Sequence, residues 1–386
     1  MSTPAPLTGR LVPLRTKDEV RASLETQTVY VVEVPAKSAN VVKDVVQAAV
    51  PDFKTAEISH LRRVVQFKYL PPHLQQQLYP PARLPRVRFF LLCPTRHIQH
   101  ADLCALIRKC PPFDGKNAPP RLFYVTVPSL APISAEQADD WSDQYWPISY
   151  KNTNPYGPHP SLVQRNTDEI APEVGDWLAI ARQAGKCISD QCLGEQVGVV
   201  VVDRTRNAPE IIAVAGDCRW RSPTGAAERR TGTGNVMAHA VQRAIAMVAK
   251  KRLRVAGTDP TYLDRALFCD SPLTAVEKEY YDKDNIVSSG YLCVDLDIYL
   301  THEPCVMCSM AILHSRFRRC VFGTRMPRTG GMTSDGGDES SSSGSGLKHG
   351  LFWRPSELNW KFLAWEFQED RKDNKARNGV KDTLHV

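Results

Sequence analysis

The sequence predicts a two-domain α/β chain: an N-terminal α+β domain in the ferredoxin-like βαββαβ order, followed by a C-terminal α/β/α three-layer sandwich. Three observations lead there. At 386 residues the chain is too long for one ordinary domain. With 42% hydrophobic and 24% charged residues it has the composition of a chain that buries a core. Strand-like and helix-like runs then alternate in two separate series, over residues 27–127 and 166–367, with a Pro- and aromatic-rich connector at 128–165 between them.

In the first series, TVYVVEV is β-branched and stops at Pro35. SANVVKDVVQAAV (38–50) reads as a helix capped by Ser38, with Val41, Val45 and Ala48 on one face. LRRVVQF (61–67) and RVRFFLLC (86–93) are strand-like, separated by a Pro-rich loop. RHIQHADLCALIRKC (96–110) brings Ile98, Leu103, Leu106 and Ile107 near one helical face, and RLFYVTV (121–127) closes the set. Residues 1–26 precede it as an expected tail. The connector is expected to be ordered, because Trp141, Tyr145 and Trp146 carry too much apolar area to leave in water.

In the second series, EIAPEVGDWLAIARQAG (169–185) reads as a helix stopped by Gly185. QVGVVVVD (196–203) and IIAVAGD (211–217) read as strands. MAHAVQRAIAMVAKK (237–251) is helical, with Val241, Ala244, Ile245 and Val248 on one stripe. A strand YLCVDLDIYLT (291–301), a helix CVMCSMAILHSR (305–316) and a strand RCVFGT (319–324) follow. The Gly/Ser-rich stretch 326–346 is expected to be a flexible insertion, LNWKFLAWEF (358–367) resumes order, and 368–386 forms a charged C-terminal tail.

Composition also narrows the function classes. No apolar run reaches the roughly 20 residues of a membrane-spanning helix, and the first residues lack a signal core, so neither a membrane nor a secreted protein is expected. An odd count of 11 cysteines in such a chain favours reduced thiols, with a metal role for some of them. The net charge of +7 is unevenly placed. Residues 1–130 carry 18 Lys+Arg against 9 Asp+Glu, while the remainder carries 31 against 33, so the whole basic excess sits in the first third. That asymmetry fits an acidic partner such as nucleic acid, or simply a solvated basic surface. Candidate RNA contacts are Arg62, Arg63, Lys68, Arg83, Arg86, Arg88, Arg108 and Lys109. Arg108 and Lys109, at a helix end, also suit the helix dipole.

The chemistry concentrates at His239 and at Pro304-Cys305-Val306-Met307-Cys308. Cysteines at i and i+3 share a helix face, so both sulfurs reach one ion. Pro304 costs nothing at a first helical turn, and a helix N-terminus favours thiolate. Read alone, CxxC also fits a redox pair or two buried thiols, and a lone histidine is more often a hydrogen-bonded one. Together, two thiolates and an imidazole make a soft three-ligand set, which suits tetrahedral zinc with one open position. The other nine cysteines show no ligand spacing.

The chain resembles the zinc nucleobase deaminases in its H-x-(E)…P-C-x-x-C pattern, here His239-Ala240-Val241 and Pro304 to Cys308. THEPCVMCSMAILHSR (301–316) and the later LNW (358–360) look most like the deaminases that act on tRNA adenosine. Val241 stands where that family has the glutamate that moves protons between the metal-bound water and the base. HAV in place of HAE, an N-terminal extension and the stretch VPSLAPISAEQADDWSDQYWP (127–147) resemble the non-catalytic subunits of eukaryotic heterodimeric tRNA wobble-adenosine deaminases. The resemblance implies a deaminase-like α/β/α sandwich with a mixed sheet, Zn²⁺ on His239, Cys305 and Cys308, and no catalytic residue in this chain. It also implies an HAE-bearing partner subunit, tRNA as the bound nucleic acid, and a place in the nucleus and cytoplasm. Two other functions remain open to the sequence: an RNA-binding scaffold that keeps the fold without the chemistry, and a self-sufficient deaminase with another base. Glu303 is a poor candidate for that base, because it precedes the ligand helix and no sequence feature puts it over the metal.

Overall fold

The structure, a computed structural model, describes residues 4–78, 87–115, 119–206, 208–221, 234–258, 269–335, 347–354, 357–370 and 380–386. The chain divides into two compact units, Met1–Lys17 with Ser161–Val386, and Asp18–Pro160. Among the described residues no helix is long and apolar enough to cross a membrane.

The expected N-terminal tail is not one. Strand β1 (Gly9–Pro13) pairs antiparallel with the strand Leu363–Glu369, Leu11 opposite Phe367, and so belongs to the sheet of the C-terminal unit. Helix α1 (Lys17–Leu24) follows.

The Asp18–Pro160 unit is built from β2 (Thr26–Val34), α2 (Ala39–Ala49), β3 (Val64–Gln66), α3 (Pro72–Leu78), β4 (Arg88–Pro94), α4 (His100–Ile107), β5 (Leu122–Pro128) and α5 (Ala135–Gln144). Its sheet runs β3-β4-β2-β5, all neighbours antiparallel, with Val31 opposite Leu91 and Tyr30 opposite Tyr124. The buried residues of α2 are Ala39, Val42 and Val46, not the expected Val41, Val45 and Ala48. Valines at 41, 42, 45 and 46 make two adjacent stripes equally apolar, and Val41 is left 41% exposed. Ser38 holds the cap position without a side-chain cap hydrogen bond. The expected strand 61–67 shortens to β3 because Leu61 and Arg62 pair with the connector instead, through Ile148 and Pro147 O. The connector is ordered: Ser134 caps α5 by accepting from the Gln137 N–H, and Trp141 and Trp146 are buried in the same core, with Trp146 Nε1 donating to Arg62 O at 2.9 Å.

The C-terminal unit comprises α6 (Pro160–Ile170), α7 (Val174–Asp190), β6 (Gly198–Asp203), β7 (Glu210–Gly216), α8 (Ala240–Val255), α9 (Ala275–Tyr281), β8 (Leu296–His302), α10 (Val306–His314), β9 (Arg319–Thr324) and β10 (Leu363–Glu369). The sheet is mixed, in the order β1-β10-β9-β8-β6-β7, with parallel pairs at β8/β9 and β9/β10 and antiparallel pairs elsewhere. One face buries Val199, Val201, Ile298 and Leu300 against Val241, Ala244 and Val248 of α8 and Ile312 of α10. The other buries Val200, Val202, Tyr299 and Val321 against Leu178, Ala181 and Ala184 of α7. Alternating strand residues serve the two faces, and a three-layer sandwich results.

The single helix expected over 169–185 is two helices, broken at Pro172, which disfavours helix at the residue before it. Gly185 does not stop α7, which runs five residues further. It lies where a Cβ would come within 2.9 Å of the Val197 carbonyl carbon, and a Cβ on Gly198 would collide with Ala181 O. These glycines serve close helix–sheet approach rather than termination. The insertion expected to be flexible over 326–346 is in its first half packed structure, with Met326, Met332, Thr333 and Ser334 buried; residues 336–346 lie outside the described ones. The expected tail from 368 likewise ends in a buried residue, Val386.

A fully buried ion pair fastens α8 to its surroundings. Arg243 Nη1 and Nη2 bond Glu277 Oε1 and Oε2 at 2.5 and 3.0 Å, and the guanidinium also donates to Gly216 O, Ser271 O and Cys269 O. Glu277 in turn accepts from the N–H groups of Gly216 and Leu273. Arg243→Met strands a buried carboxylate, so urea denaturation should show a loss of about 3–5 kcal/mol. A loss below about 1 kcal/mol would mean that the pair is dispensable.

Candidate metal centre

The sequence positions the three soft donors through two helix starts. His239 is the N-cap residue of α8 and Cys305 the N-cap residue of α10, both with extended backbone. Strand β8 delivers the chain to Pro304, and one turn into α10 places Cys308 beside Cys305. His239 Nδ1 stands 3.4 Å from Cys308 Sγ and 3.8 Å from Cys305 Sγ, and the three donor atoms lie within 4.8 Å of one another. All three side chains are buried. Zn–N and Zn–S bonds of about 2.0 and 2.3 Å at a tetrahedral angle put nitrogen and sulfur roughly 3.5 Å apart, so the donors fit zinc. Among the described residues this is the one such cluster of three or more donors.

The electrostatics suit a cation. A hydrogen bond from the Cys308 thiol, then burial opposing it, then the His239 contact leave Cys305 lowered to about 4. Burial pushes the Cys308 thiol well above the ordinary value, and Arg219 partly opposes that. Arg219 is itself held on the buried Asp217, with Nε 2.8 Å from Oδ2 and 3.0 Å from Oδ1. A divalent cation takes both sulfurs as thiolates, so its binding here releases protons.

What surrounds the donors is apolar or already bonded. Val241 is 1% exposed and packs in one cluster with Ala244, Val248, Cys305, Cys308 and Val386. The Cys305 N–H donates to Val386 O at 2.7 Å, and Thr329 Oγ1 donates to Leu384 O, so main chain from 384–386 lies against the ligand helix start. Glu303, whose pKa burial raises, is engaged away from the three donors. Its carboxylate accepts from Met326 N, Met332 N, Thr333 N and Thr333 Oγ1 at 2.8 to 3.1 Å, and Gly330 leaves the room for it. It is the anchor that orders the 326–335 segment.

The basic candidates are scattered. Arg62 is exposed, with Nε donating to Ile148 O. Arg63 is half-buried, its guanidinium 5.9 Å from the Phe53 ring centre and 5.3 Å from that of Phe90, and burial lowers its pKa. It packs in the core of its unit. Lys68 is exposed, over the Tyr69 ring, Arg88 opens β4 in a partly exposed position, and Arg108 and Lys109 are exposed at the end of α4. Arg83 and Arg86 lie outside the described residues. Asp217, Arg219 and the main chain at Val386 could not be found from the sequence, since no local spacing links residues so far apart.

Residues 175–324 match the family described as the cytidine and deoxycytidylate deaminase zinc-binding region. The chain is 28% identical over 267 residues to the tRNA-specific adenosine deaminase subunit tad3 of Schizosaccharomyces pombe, across 69% of this chain and 64% of that one. It is 31% identical over 217 residues to subunit TAD3 of Saccharomyces cerevisiae, across 55% and 52% of the two chains. A probable inactive tRNA-specific adenosine deaminase-like protein 3 of Homo sapiens is 28% identical over 217 residues, across 53% and 54%. The chain thus spans between about half and two thirds of the length of these relatives.

Elemental analysis should find one zinc per chain, bound by His239, Cys305 and Cys308. Cys305→Ala with Cys308→Ala should remove it and lower the midpoint of thermal unfolding. Zinc content unchanged by the double substitution would place the metal elsewhere.

Proposed function

We propose that this chain, a homologue of the tRNA-specific adenosine deaminase subunits with a deaminase zinc-binding region at 175–324, is the catalytically silent subunit of a heterodimer that converts wobble adenosine to inosine in tRNA. The observation that carries the reading is Val241. Zinc in such a site supplies an activated water, and the reaction needs a neighbouring carboxylate to take and return a proton. Val241 has no titratable group, and its methyl groups are absorbed into the α8 stripe. The nearby carboxylate of Glu303 is committed to the 326–333 segment. The ion's role here is to brace the starts of α8 and α10, with His239, Cys305 and Cys308 as its holders. The human relative, described as a probable inactive deaminase-like protein, and the two yeast relatives, described as deaminase subunits, support the same assignment.

The partner is then a chain with intact HAE, and the tRNA grip falls to the basic Asp18–Pro160 unit. We read that unit as ferredoxin-like. Its strands, numbered within the unit, run fourth, first, third, second from β5 to β3, which supports the reading. Arg62, Lys68, Arg88, Arg108 and Lys109, each at least partly exposed, suit phosphate contacts, which hold a folded RNA in register without reading its sequence. Arg83 and Arg86 are assigned to the same contacts on charge alone. Arg63 contributes through packing.

Two outcomes test this. Freed of any partner, the chain should form no inosine on tRNA and release no ammonia from adenosine or cytidine, and Val241→Glu should not restore turnover, because position 241 is buried in the apolar stripe of α8 rather than in a site shaped for a base. Turnover by the partner-free chain would overturn the proposal. In the heterodimer, Lys68→Ala with Arg88→Ala should weaken tRNA binding, with zinc content unchanged. The slope of log affinity on log salt should become shallower by about 1 for each side chain withdrawn from a phosphate. An unchanged slope would remove these two residues from the interface.

A further inference from the structure

Three aromatic rings meet on one face of the Asp18–Pro160 unit, and one of them is left open. Tyr30 of β2 stands in register opposite Tyr124 of β5, so the two side chains share a face of the sheet. That face also meets the start of α4. Tyr30 Oη donates to Ile98 O at 3.1 Å, and the His100 ring centre lies 6.1 Å from that of Tyr30. His100 stacks on Tyr124 with ring centres 5.6 Å apart and planes at 25°, while Tyr30 meets Tyr124 at 5.3 Å and 47°. Their exposure differs. Tyr30 is 3% exposed and His100 partly exposed, but Tyr124 is 50% exposed. β5 is an edge strand, and its residues on the opposite face, Val125 and Val127, are buried. Next along the open face of β5 is Thr126, exposed, with Thr28 of β2 opposite it and partly exposed. A large ring is thus held by two others and still half open, with two hydroxyls beside it.

We propose that Tyr124, backed by His100 and Tyr30, is a stacking platform for one unpaired nucleobase of a bound RNA. The proposal rests on the reading of this unit as the RNA-holding part of the chain, and it adds a contact of a different kind from the phosphate contacts. Every base has a π-face, so an exposed aromatic ring binds an unstacked base whatever its sequence. The ring must already be in place for the contact to cost little, and Tyr30 and His100 restrict how Tyr124 can tilt. A ribose 2′-OH both donates and accepts, which suits the hydroxyls of Thr28 and Thr126.

The charges beside the rings favour a polyanion. His100 is the first residue of α4, whose N-cap Gln99 makes no side-chain cap hydrogen bond, so the positive end of the helix faces outward there. Arg96 is exposed and donates to Gln27 Oε1 at 2.9 Å, next to Thr28, while also bonding Glu57. Asp102 follows two residues after His100, a spacing that puts it on another side of the helix. The basic excess of residues 1–130 points the same way. Tyrosine also suits an edge strand through packing alone, and that reading predicts no effect on RNA.

The test uses the full-length, zinc-loaded chain, alone and in the heterodimer. A short oligouridylate carrying 5-iodouridine, which cross-links under long-wavelength light to an aromatic ring stacked on it, is irradiated with the chain, and the adduct is located by peptide mapping. The expected attachment is at Tyr124. In the heterodimer, Tyr124→Ala should weaken tRNA binding about tenfold, and Tyr124→Phe should keep it within about twofold. Stacking releases no counterions, so the slope of log affinity on log salt should stay that of the unsubstituted protein. Adducts only at other residues, tRNA affinity unchanged in Tyr124→Ala, or a loss in Tyr124→Phe as large as in Tyr124→Ala would overturn the platform. Loss of the partner subunit from Tyr124→Ala would overturn it too, by making this face a protein interface. An adduct at Tyr124 in a heterodimer that does not bind tRNA would uphold the platform and overturn the tRNA reading instead. Mapping of the unsubstituted chain decides the matter even if a variant folds poorly.

Discussion

A tetrahedral ion tolerates little error in where its donors sit, and in this chain that tolerance is set by two helix starts. His239 and Cys305 cap α8 and α10, and the rest of the C-terminal unit can be understood as holding those two caps a few ångströms apart. The buried Arg243–Glu277 pair lies one helical turn beyond His239 and fixes α8 against β7 and α9. Glu303, two residues before Cys305, anchors the 326–333 segment behind the other start. Glycines at 185 and 198 let α7 lie almost on the backbone of β6, which sets the depth of the opposite layer. Each device spends a buried charge or a missing side chain on position.

The same cluster separates what holding a metal requires from what deamination requires. Ligation needs donors with lone pairs at fixed distances; deamination also needs a carboxylate free to gain and lose a proton, and room for a base. The first requirement is met. For the second, Val241 offers no titratable group and lies in the apolar stripe, and the Cys305 N–H donates to Val386 O beside it. An ion held by these donors would brace the two helix starts whether or not a proton carrier stands beside it.

Much of this was legible locally. The CxxC behind a proline and the histidine at a helix start were readable because ligand spacing follows helix geometry, and α10 and β9 fell within two residues of their expected limits, whereas β8 starts five residues later than expected, after a turn in which Leu292 and Asp295 take positive φ. What was not legible depends on contacts distant in sequence. Strand β1 has its partner more than 350 residues away, and nothing in GRLVP announces β10. The order of residues 326–335 comes from four hydrogen bonds to one carboxylate, invisible in a Gly/Ser-rich composition. Gly185 looked like a helix stop because close packing and termination select the same residue. The phase of α2 was ambiguous because two of its stripes are equally apolar. Arg63 looked like surface charge until Phe53 and Phe90 enclosed it.

If the metal centre of this chain is structural, inside an assembly whose chemistry lies in another subunit, then turnover must depend on the other subunit's proton carrier alone. The direct measurement is inosine formation on tRNA by the reconstituted heterodimer after the glutamate of the partner's HAE motif is replaced by alanine, with this chain unaltered and its zinc retained. Inosine formation should fall to the uncatalysed background. Turnover that survives the replacement would place catalysis at His239, Cys305 and Cys308 and contradict a purely structural role for them.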